Sequence, residues 1–328
     1  MKSNVLIIGC GNIAGGFDAT STSTGLPRTH ASAYKTHLGF NLLACLDPDE
    51  SKLKKFQNIW KIPYGFSSFE DIRKQDHSYD VISICSPSIL HYEHISEAIK
   101  LKPKIIFCEK PTTTSFSDTL KIYKRCLNNN IILITNYSRG WDPSMISISK
   151  NIKNKKWGKT LFVNVFYSNG ILNNGSHALD FLIRSFGKIN ISSVIKESPL
   201  SNNIDKNVSV YLESVKDKVP IYFHPIENSN YSVFEINIFF EQNVVRILNG
   251  GLVIFEQNII KNKYYPDFRI PSPPKFKTAN YMKSMKLAIK DIDNLLRNPK
   301  DSNLSDNNFL EVEKLCSKIL QFNRNLER

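Results

Sequence analysis

The apolar run Val5–Leu6–Ile7–Ile8 passes straight into Gly9–Cys10–Gly11–Asn12–Ile13–Ala14. A buried strand delivered into Gly-x-Gly-x-x-Ala is the entry to a dinucleotide-binding βαβ unit. The first glycine makes the turn, the second lets a pyrophosphate approach the backbone, and the following helix N-terminus receives its charge. Gly9, Gly11, Asn12 and Ile13 are therefore the expected cofactor turn. The next apolar run, Phe40–Asp47, ends in an acid, where such a unit binds the ribose 2′-hydroxyl. Asp47 would repel a 2′-phosphate and no arginine follows it, although Lys52 lies nearby, so NAD is expected in preference to NADP. After the turn, however, a helix should stall. Gly15 and Gly16 are poor helix formers, the Ser/Thr run 21–24 favours caps and turns, and Gly25–Leu26–Pro27 breaks a helix.

Further along, strand and helix signals alternate up to about residue 139. "YDVISICSP", "PKIIFCEKP" and "IILITNYS" read as strands, and "HYEHISEAIKL" and "SFSDTLKIYKRCLNNN" as helices. That rhythm argues an α/β domain with a doubly wound parallel sheet over residues 1–139. In 140–328 the rhythm changes. "TLFVNVFYSNG" is a strand and "GSHALDFLIRSFG" a helix. Strand candidates then follow without helices: Ile191–Lys196, Val208–Ser214, Pro220–His224, Tyr231–Phe240, Val244–Leu248 and Leu252–Glu256, with a hairpin at Asn249–Gly251. These predict an open, mostly antiparallel sheet, then a proline-rich loop over Pro266–Pro274 and helices over Ala279–Leu296 and Ser305–Asn323.

At 328 residues the chain has the length of two domains. No stretch reaches the length of a membrane span, and the N-terminus lacks a secretory apolar core, so a cytoplasmic protein without membrane association is expected. The six cysteines form no CxxC pair, which argues against a zinc or redox motif and for buried thiols; no metal site is expected. The net charge of +13 raises nucleic acid as a partner. The lysines are scattered, however, and only Lys150–Lys159 is a dense basic run. A solvated face is the favoured reading of that run, with no nucleic-acid partner, and the overall charge equally suits anionic small molecules.

Two residues suggest chemistry. Lys110, in "CEKP", ends a later parallel strand, where ligands bind in open α/β sheets. A lysine there can hold a substrate hydroxyl and stabilise charge on its oxygen. His177 opens a helix after a strand, with Asn173 and Asn174 before it and Asp180 on its helical face. A histidine there can take an alcohol proton as hydride leaves, although taken alone a cap or packing residue is the favoured reading.

Together "GCGNIA", Asp47, "SICSPSILHYEHISEAI", "CEKP", "ITNY" and "NGILNNGSHALD" make the first 180 residues resemble the glucose–fructose oxidoreductase / inositol dehydrogenase / MocA family. The resemblance implies a Rossmann domain followed by an α/β domain with an open sheet, and NAD(P)-dependent oxidation or reduction of a sugar or cyclitol carbon. It implies catalytic roles for Lys110 and His177 and a cis bond before Pro111. It places Ser86, Pro87, His91, Glu109 and Asn136 in the cofactor or substrate cleft. Association through the open sheet into a homodimer or homotetramer is also implied. One position departs: the family commonly carries aspartate where this chain has Asn173, which can hydrogen-bond but supplies no charge.

Relatives usually pass from the glycine turn directly into a helix carrying a histidine, a place His30 can fill. Gly16–Thr29 then reads as an insertion. Its hydroxyls and Arg28 suit a phosphate or polyhydroxylated substrate; a surface loop that binds nothing is the competing reading. The leading functional expectation is an oxidoreductase acting on a phosphorylated or nucleotide-linked sugar, in surface-glycan or carbohydrate metabolism. A non-catalytic NAD-binding sensor is the alternative.

Overall fold

The computed structural model describes residues 2–19, 25–197, 205–226, 231–298 and 308–326. The chain divides into two compact units, Met1–Trp141 with Met282–Leu310, and Asp142–Tyr281 with Glu311–Arg328.

The first unit is built on six strands: β1 (Ser3–Ile8), β2 (Phe40–Leu46), β3 (Tyr64–Phe66), β4 (Val81–Ile84), β5 (Ile105–Glu109) and β6 (Ile132–Asn136). All neighbours are parallel, in the order β3-β2-β1-β4-β5-β6. This is the strand order of a dinucleotide-binding sheet, and its switch point lies between β1 and β4. The strands are apolar without alternation because helices cover both faces. Those helices are α1 (His30–Thr36), α2 (Glu50–Trp60), α3 (Phe69–Arg73), α4 (His91–Lys100) and α5 (Phe116–Asn128). Their starts follow local chemistry. The Asp49 carboxylate accepts the Ser51 and Lys52 N–H groups ahead of α2, and the Ser115 hydroxyl accepts that of Asp118 in α5.

The second unit opens with α6 (Pro143–Lys153), whose start is capped by Asp142 accepting the Ser144 N–H, and continues through β7 (Thr160–Tyr167) and α7 (Ser176–Phe186). Eight further strands follow: β8 (Ile189–Glu197), β9 (Val208–Ser214), β10 (Pro220–Pro225), β11 (Phe234–Phe240), β12 (Asn243–Leu248), β13 (Val253–Lys261), β14 (Arg269–Pro271) and β15 (Lys275–Thr278). With β7 they form a nine-stranded sheet, antiparallel throughout except where β10 runs parallel to β7. The proline-rich stretch is not wholly a loop: β14 lies within it and pairs with β13 at an edge, where proline is tolerated. Alternation on β7, β9 and β11 separates two faces. Val163, Val165, Val210, Leu212, Ile236 and Ile238 are buried on one of them. The other presents partly exposed Phe162, Phe166, Tyr211, Tyr222 and Phe239, with ring centroids such as Tyr211–Tyr222 4.8 Å apart.

Of the two last helices, α8 (Ser284–Arg297) returns to the first unit and α9 (Phe309–Leu326) has most of its length in the second. Residues 305–307, where the second helix was expected to begin, lie outside the described residues. The first-unit placement of α8 has a packing cause. Met285, Ala288, Ile289, Ile292 and Leu295 are buried in one cluster with Val5, Ile7, Tyr34 and Phe40. Each large aliphatic side chain buried in this way contributes about 1.5–3 kcal/mol. The sequence expects everything after residue 139 in the second domain, because periodicity shows that a helix has an apolar face but not which sheet it meets.

Candidate functional site

The glycine turn is shaped by what surrounds it. Gly9 has φ +90, and a Cβ there would meet the Ser86 backbone nitrogen at 2.7 Å, so the end of β4 leaves room only for glycine. A Cβ on Gly11 would meet nothing within 4 Å. That open space beside exposed backbone suits the close approach of a pyrophosphate. Asp47 closes the turn from the end of β2. Its Oδ2 accepts the Cys10 N–H at 2.8 Å and its Oδ1 accepts that of Asp49 at 3.0 Å. A carboxylate retains further acceptor capacity after two such bonds, so the residue can brace the turn and still face a ribose.

The stalled helix is an interrupted one. Gly15 N–H bonds to Gly11 O, making a first turn, and the chain then leaves. At α1 the His30 N–H donates to Ile13 O at 3.3 Å and the Ala31 N–H to Ala14 O at 2.8 Å. In a continuous helix those carbonyls would accept from residues 17 and 18. Gly16–Thr29 is thus looped out of a helix that resumes at His30, apart from 20–24, which lie outside the described residues. Asp18 clasps the base of the loop. It accepts from the backbone N–H groups of Arg28 and Thr29, the Thr29 hydroxyl, and Arg28 Nε at 2.8 Å. Burial pushes the Asp18 carboxyl up, but these bonds outweigh it and hold it below the usual carboxylate value. The side chain of Arg28, expected to bind substrate, is engaged by Asp18 and by the Phe17 carbonyl.

His30 leads to the end of β5. Its Nε2 meets Glu109 Oε1 at 2.8 Å and its Nδ1 meets Ser83 Oγ at 3.2 Å, and Ser83 in turn meets the Tyr34 hydroxyl. Asn136 Nδ2 donates to the same Glu109 oxygen at 2.7 Å, and its Oδ1 accepts from Trp141 Nε1. Burial alone would raise the Glu109 carboxyl. His30, Asn136 and the charge of Lys110 prevail and hold it below its ordinary value. The carboxylate beside Lys110 is therefore fixed and anionic. His91 is buried and bridges two carbonyls, Pro111 O at 2.7 Å and Ser86 O at 2.8 Å, while Ser86 Oγ meets His94. His91 thereby ties the loop after β4, including Pro87, to the one after β5. The Lys110–Pro111 peptide is cis. The first unit thus gathers Gly9, Gly11, Asp47, Ser86, Glu109, Lys110 and Asn136 at the C-terminal ends of its strands. Asn12 is exposed, and Ile13 packs against the core.

In the second unit the histidine-bearing turn is a five-residue π-helical turn, Ile171–Gly175, entered at Gly170 with φ +88. Its leading N–H groups are taken by residues far along the chain. Asp205 Oδ1 accepts from Leu172 and Oδ2 from Asn173, both at 2.8 Å, and Asn207 Oδ1 accepts from Gly170. Asn174 Nδ2 donates to Ser232 Oγ. His177 follows in the first turn of α7 and is 6% exposed. Asp180 is buried, and both of its oxygens accept from Arg184 Nε at 2.9 Å. Burial raises its carboxyl despite Arg184. Asp180 is therefore committed to an ion pair along its own helix. The carboxylate at this turn is that of Asp205, which no local pattern announces: it stands 32 positions after Asn173 and belongs to no motif.

Residues 3–137 match the model of an oxidoreductase family with an NAD-binding Rossmann fold, Gfo/Idh/MocA. Among curated proteins, an uncharacterized oxidoreductase of Bacillus subtilis, YrbE, is 31% identical over 115 residues, 35% of this chain and 33% of its own. The myo-inositol 2-dehydrogenase of Thermotoga maritima is 24% identical over 118 residues, 36% of this chain and 35% of its own. The matches span about a third of these relatives. Among solved structures, the WlbA dehydrogenase of Bordetella pertussis, in complex with NADH and UDP-GlcNAcA, superposes with TM-score 0.75 at 17% identity, covering 99% of this chain and 97% of its own. A variant of KijD10, a 3-ketoreductase of Actinomadura kijaniata in complex with TDP-benzene and NADP, gives 0.77 at 12% identity, covering 98% of each chain. At these identities the likeness is one of fold. Among the described residues no helix is long and apolar enough to cross a membrane.

Proposed function

We propose that the chain, whose residues 3–137 match the NAD-binding domain of the Gfo/Idh/MocA oxidoreductases, is a member of that family and transfers hydride between NAD and a carbon of a phosphorylated or nucleotide-linked sugar in the cytoplasm. The observation that carries this reading is the strand-end cluster of the first unit. Open space above Gly11, Asp47 at the end of β2 and Lys110 beside an anchored Glu109 form one set. Bound NAD supplies the hydride acceptor. Gly9, Gly11, Asn12 and Ile13 would hold its pyrophosphate and Asp47 its ribose, with Ser86, Pro87, His91 and Asn136 shaping the same strand ends. The negative charge of Asp47 favours NAD over NADP.

In the oxidising direction the carbinol carbon gives up its hydrogen with both electrons, and the hydroxyl proton must leave as the carbonyl forms. The Lys110 ammonium holds that oxygen and stabilises the charge it gathers. His177 accepts the proton, with Asn173 and Asn174 offering hydrogen bonds to neighbouring hydroxyls. The sugar class rests on the myo-inositol 2-dehydrogenase among the relatives and on the UDP-sugar named with WlbA. The aromatic face of the second unit's sheet, with Phe162, Phe166, Tyr211, Tyr222 and Phe239, is of a kind that monomers rarely expose. A second copy of the chain is its proposed partner, giving a homodimer or homotetramer.

Asn173, without charge where the family commonly has aspartate, favours a second reading: a protein that binds NAD and senses its ligand without turnover. The two separate on a panel of sugars, sugar phosphates and nucleotide sugars incubated with protein and NAD. Reduction of the nicotinamide with at least one compound is expected. Tight NAD binding with no reduction across the panel supports the sensor instead.

A further inference from the structure

The basic run Lys150–Lys159 plays no part in the chemistry above, yet it has a definite setting. The end of α6 and the turn after it, the end of α7, and the turn between β9 and β10 enclose a pocket of about 350 Å³, wholly within the second unit. Lys153, Lys155, Lys159 and Lys216 line it together with Asp217. Ile152, Phe186 and Val219 give it an apolar floor, and all three are buried. None of the four lysines has an ion-pair partner among the described residues. Elsewhere in the second unit, by contrast, Lys218 is paired with Glu213 and Lys277 with Glu256.

Lysines near helix C-termini commonly do no more than offset the exposed carbonyls. Here two helices, α6 and α7, end at the pocket, and each brings about half a negative charge. Together with Asp217, and with Glu241 whose carboxylate accepts the Lys159 N–H beside the pocket at 2.8 Å, that neutralises about three of the four ammoniums and leaves the pocket positive by about one charge before a ligand enters. The volume lies at the lower end of small-ligand pockets, and an apolar floor under a ring of fixed charge is their usual composition. The pocket is also remote from the candidate chemistry. Phe186 and His177 stand at opposite ends of α7, about 14 Å apart along its axis.

We propose that this pocket binds a small organic phosphate, with the phosphate among Lys153, Lys155, Lys159 and Lys216 and the less polar body on Ile152, Phe186 and Val219, as a site separate from that of the hydride transfer. Lysine serves phosphate as a point charge, and several lysines around one cavity suit a dianion better than a single carboxylate. A concave pocket of this size takes one small group, which sets it apart from the extended basic stripe that a duplex requires.

The test uses phenyl phosphate and inorganic phosphate as probes, titrated calorimetrically into the full-length protein. Phenyl phosphate should bind more tightly than inorganic phosphate, because only it has a body for the apolar floor. The double variant Lys159→Glu/Lys216→Glu, altered at two exposed positions, should lower affinity for phenyl phosphate at least about tenfold, while NAD affinity and the melting temperature stay as they are. Failure of phenyl phosphate to bind at millimolar concentration overturns the proposal, as does equal binding by the double variant. So does binding that NAD abolishes and the lysine reversals leave untouched, since the glycine turn would then hold the anion. Loss of duplex DNA binding in the double variant, with no phenyl phosphate binding in either protein, would make the run a nucleic-acid surface and overturn it as well.

Discussion

The glycine turn of the first unit and the histidine turn of the second both follow a strand and both enter a helix, and each is braced by a carboxylate from elsewhere in the chain, but the bracing elements differ. The glycine turn is braced by Asp47 at the end of the adjacent strand, and the loop that interrupts its helix is clasped by Asp18, ten residues before Arg28. The histidine turn takes its bonds from Asp205 and Asn207, in a segment more than thirty residues on. Both braces are remote in sequence, 37 positions on for Asp47 and 32 or 33 for Asp205. The first stands at the end of a strand in the same sheet and the second in a loop, so the two should fail differently when perturbed.

The largest effects belong to the residues assigned to chemistry. His177→Ala and Lys110→Ala should each lower kcat by about 10²–10⁴ on a substrate that turns over, the usual consequence of losing a general base or an oxygen-holding group. NAD affinity should be preserved in His177→Ala. Steady-state kinetics on both variants checks this, and full turnover by His177→Ala would return the histidine to a packing role.

Next in size is the brace of the histidine turn. Asp205→Ala removes a carboxylate that accepts two backbone N–H groups and should cost about 1.5–3 kcal/mol of stability in denaturant unfolding. Because the same turn leads to His177, kcat should fall while NAD affinity does not move. A variant of normal kcat would show that the histidine turn holds its form unaided.

How much of this could be read from the chain follows the same division. The parallel sheet with its strand-end acid and the open sheet were legible because buried parallel strands and half-buried antiparallel strands have different periodicities, as β4 and β11 illustrate. His30 was legible only through the family resemblance, in which the helix after the glycine turn carries a histidine. The brace at Asp205 was not, since a carboxylate in a loop has no spacing relation to the turn it caps. Nor was the return of α8 to the first unit, or the engagement of Arg28 by Asp18, because a charge pattern does not disclose its partner. The β14 strand was hidden by Pro271, which an edge position tolerates.

The two glycines sharpen the comparison within the first turn. Gly9→Ala must hold a side chain at φ +90 against the Ser86 backbone, costing about 1–3 kcal/mol in backbone strain alone. Gly11→Ala meets no atom of the protein and should change stability by less than about 0.5 kcal/mol. It should nevertheless weaken NAD, because the added methyl occupies the pyrophosphate's approach. Thermal melts and NAD titrations on the pair separate the two roles, and unaltered NAD affinity in Gly11→Ala would argue against the assigned approach.

The smallest expected effect concerns the clasp. The Asp18 carboxyl titrates below its ordinary value in the folded protein, so its contribution to stability is complete above the unfolded value and is lost as pH falls through the folded one. Asp18→Asn should cost about 1 kcal/mol at neutral pH and should flatten the loss of stability across that acidic window. Urea unfolding at a series of pH values reads both. An unchanged acid limb would mean that the clasp does not stabilise the fold through its charge.

In the proposed division of labour the first unit holds NAD by its own residues and the second supplies the proton acceptor. Calorimetric titration of NAD and NADP into the unmodified protein and into His177→Ala tests it most directly. NAD should bind both proteins with the same affinity, and NADP should bind both more weakly because Asp47 faces the added phosphate. Equal affinity for the two cofactors, or loss of NAD binding on replacement of His177, would contradict it.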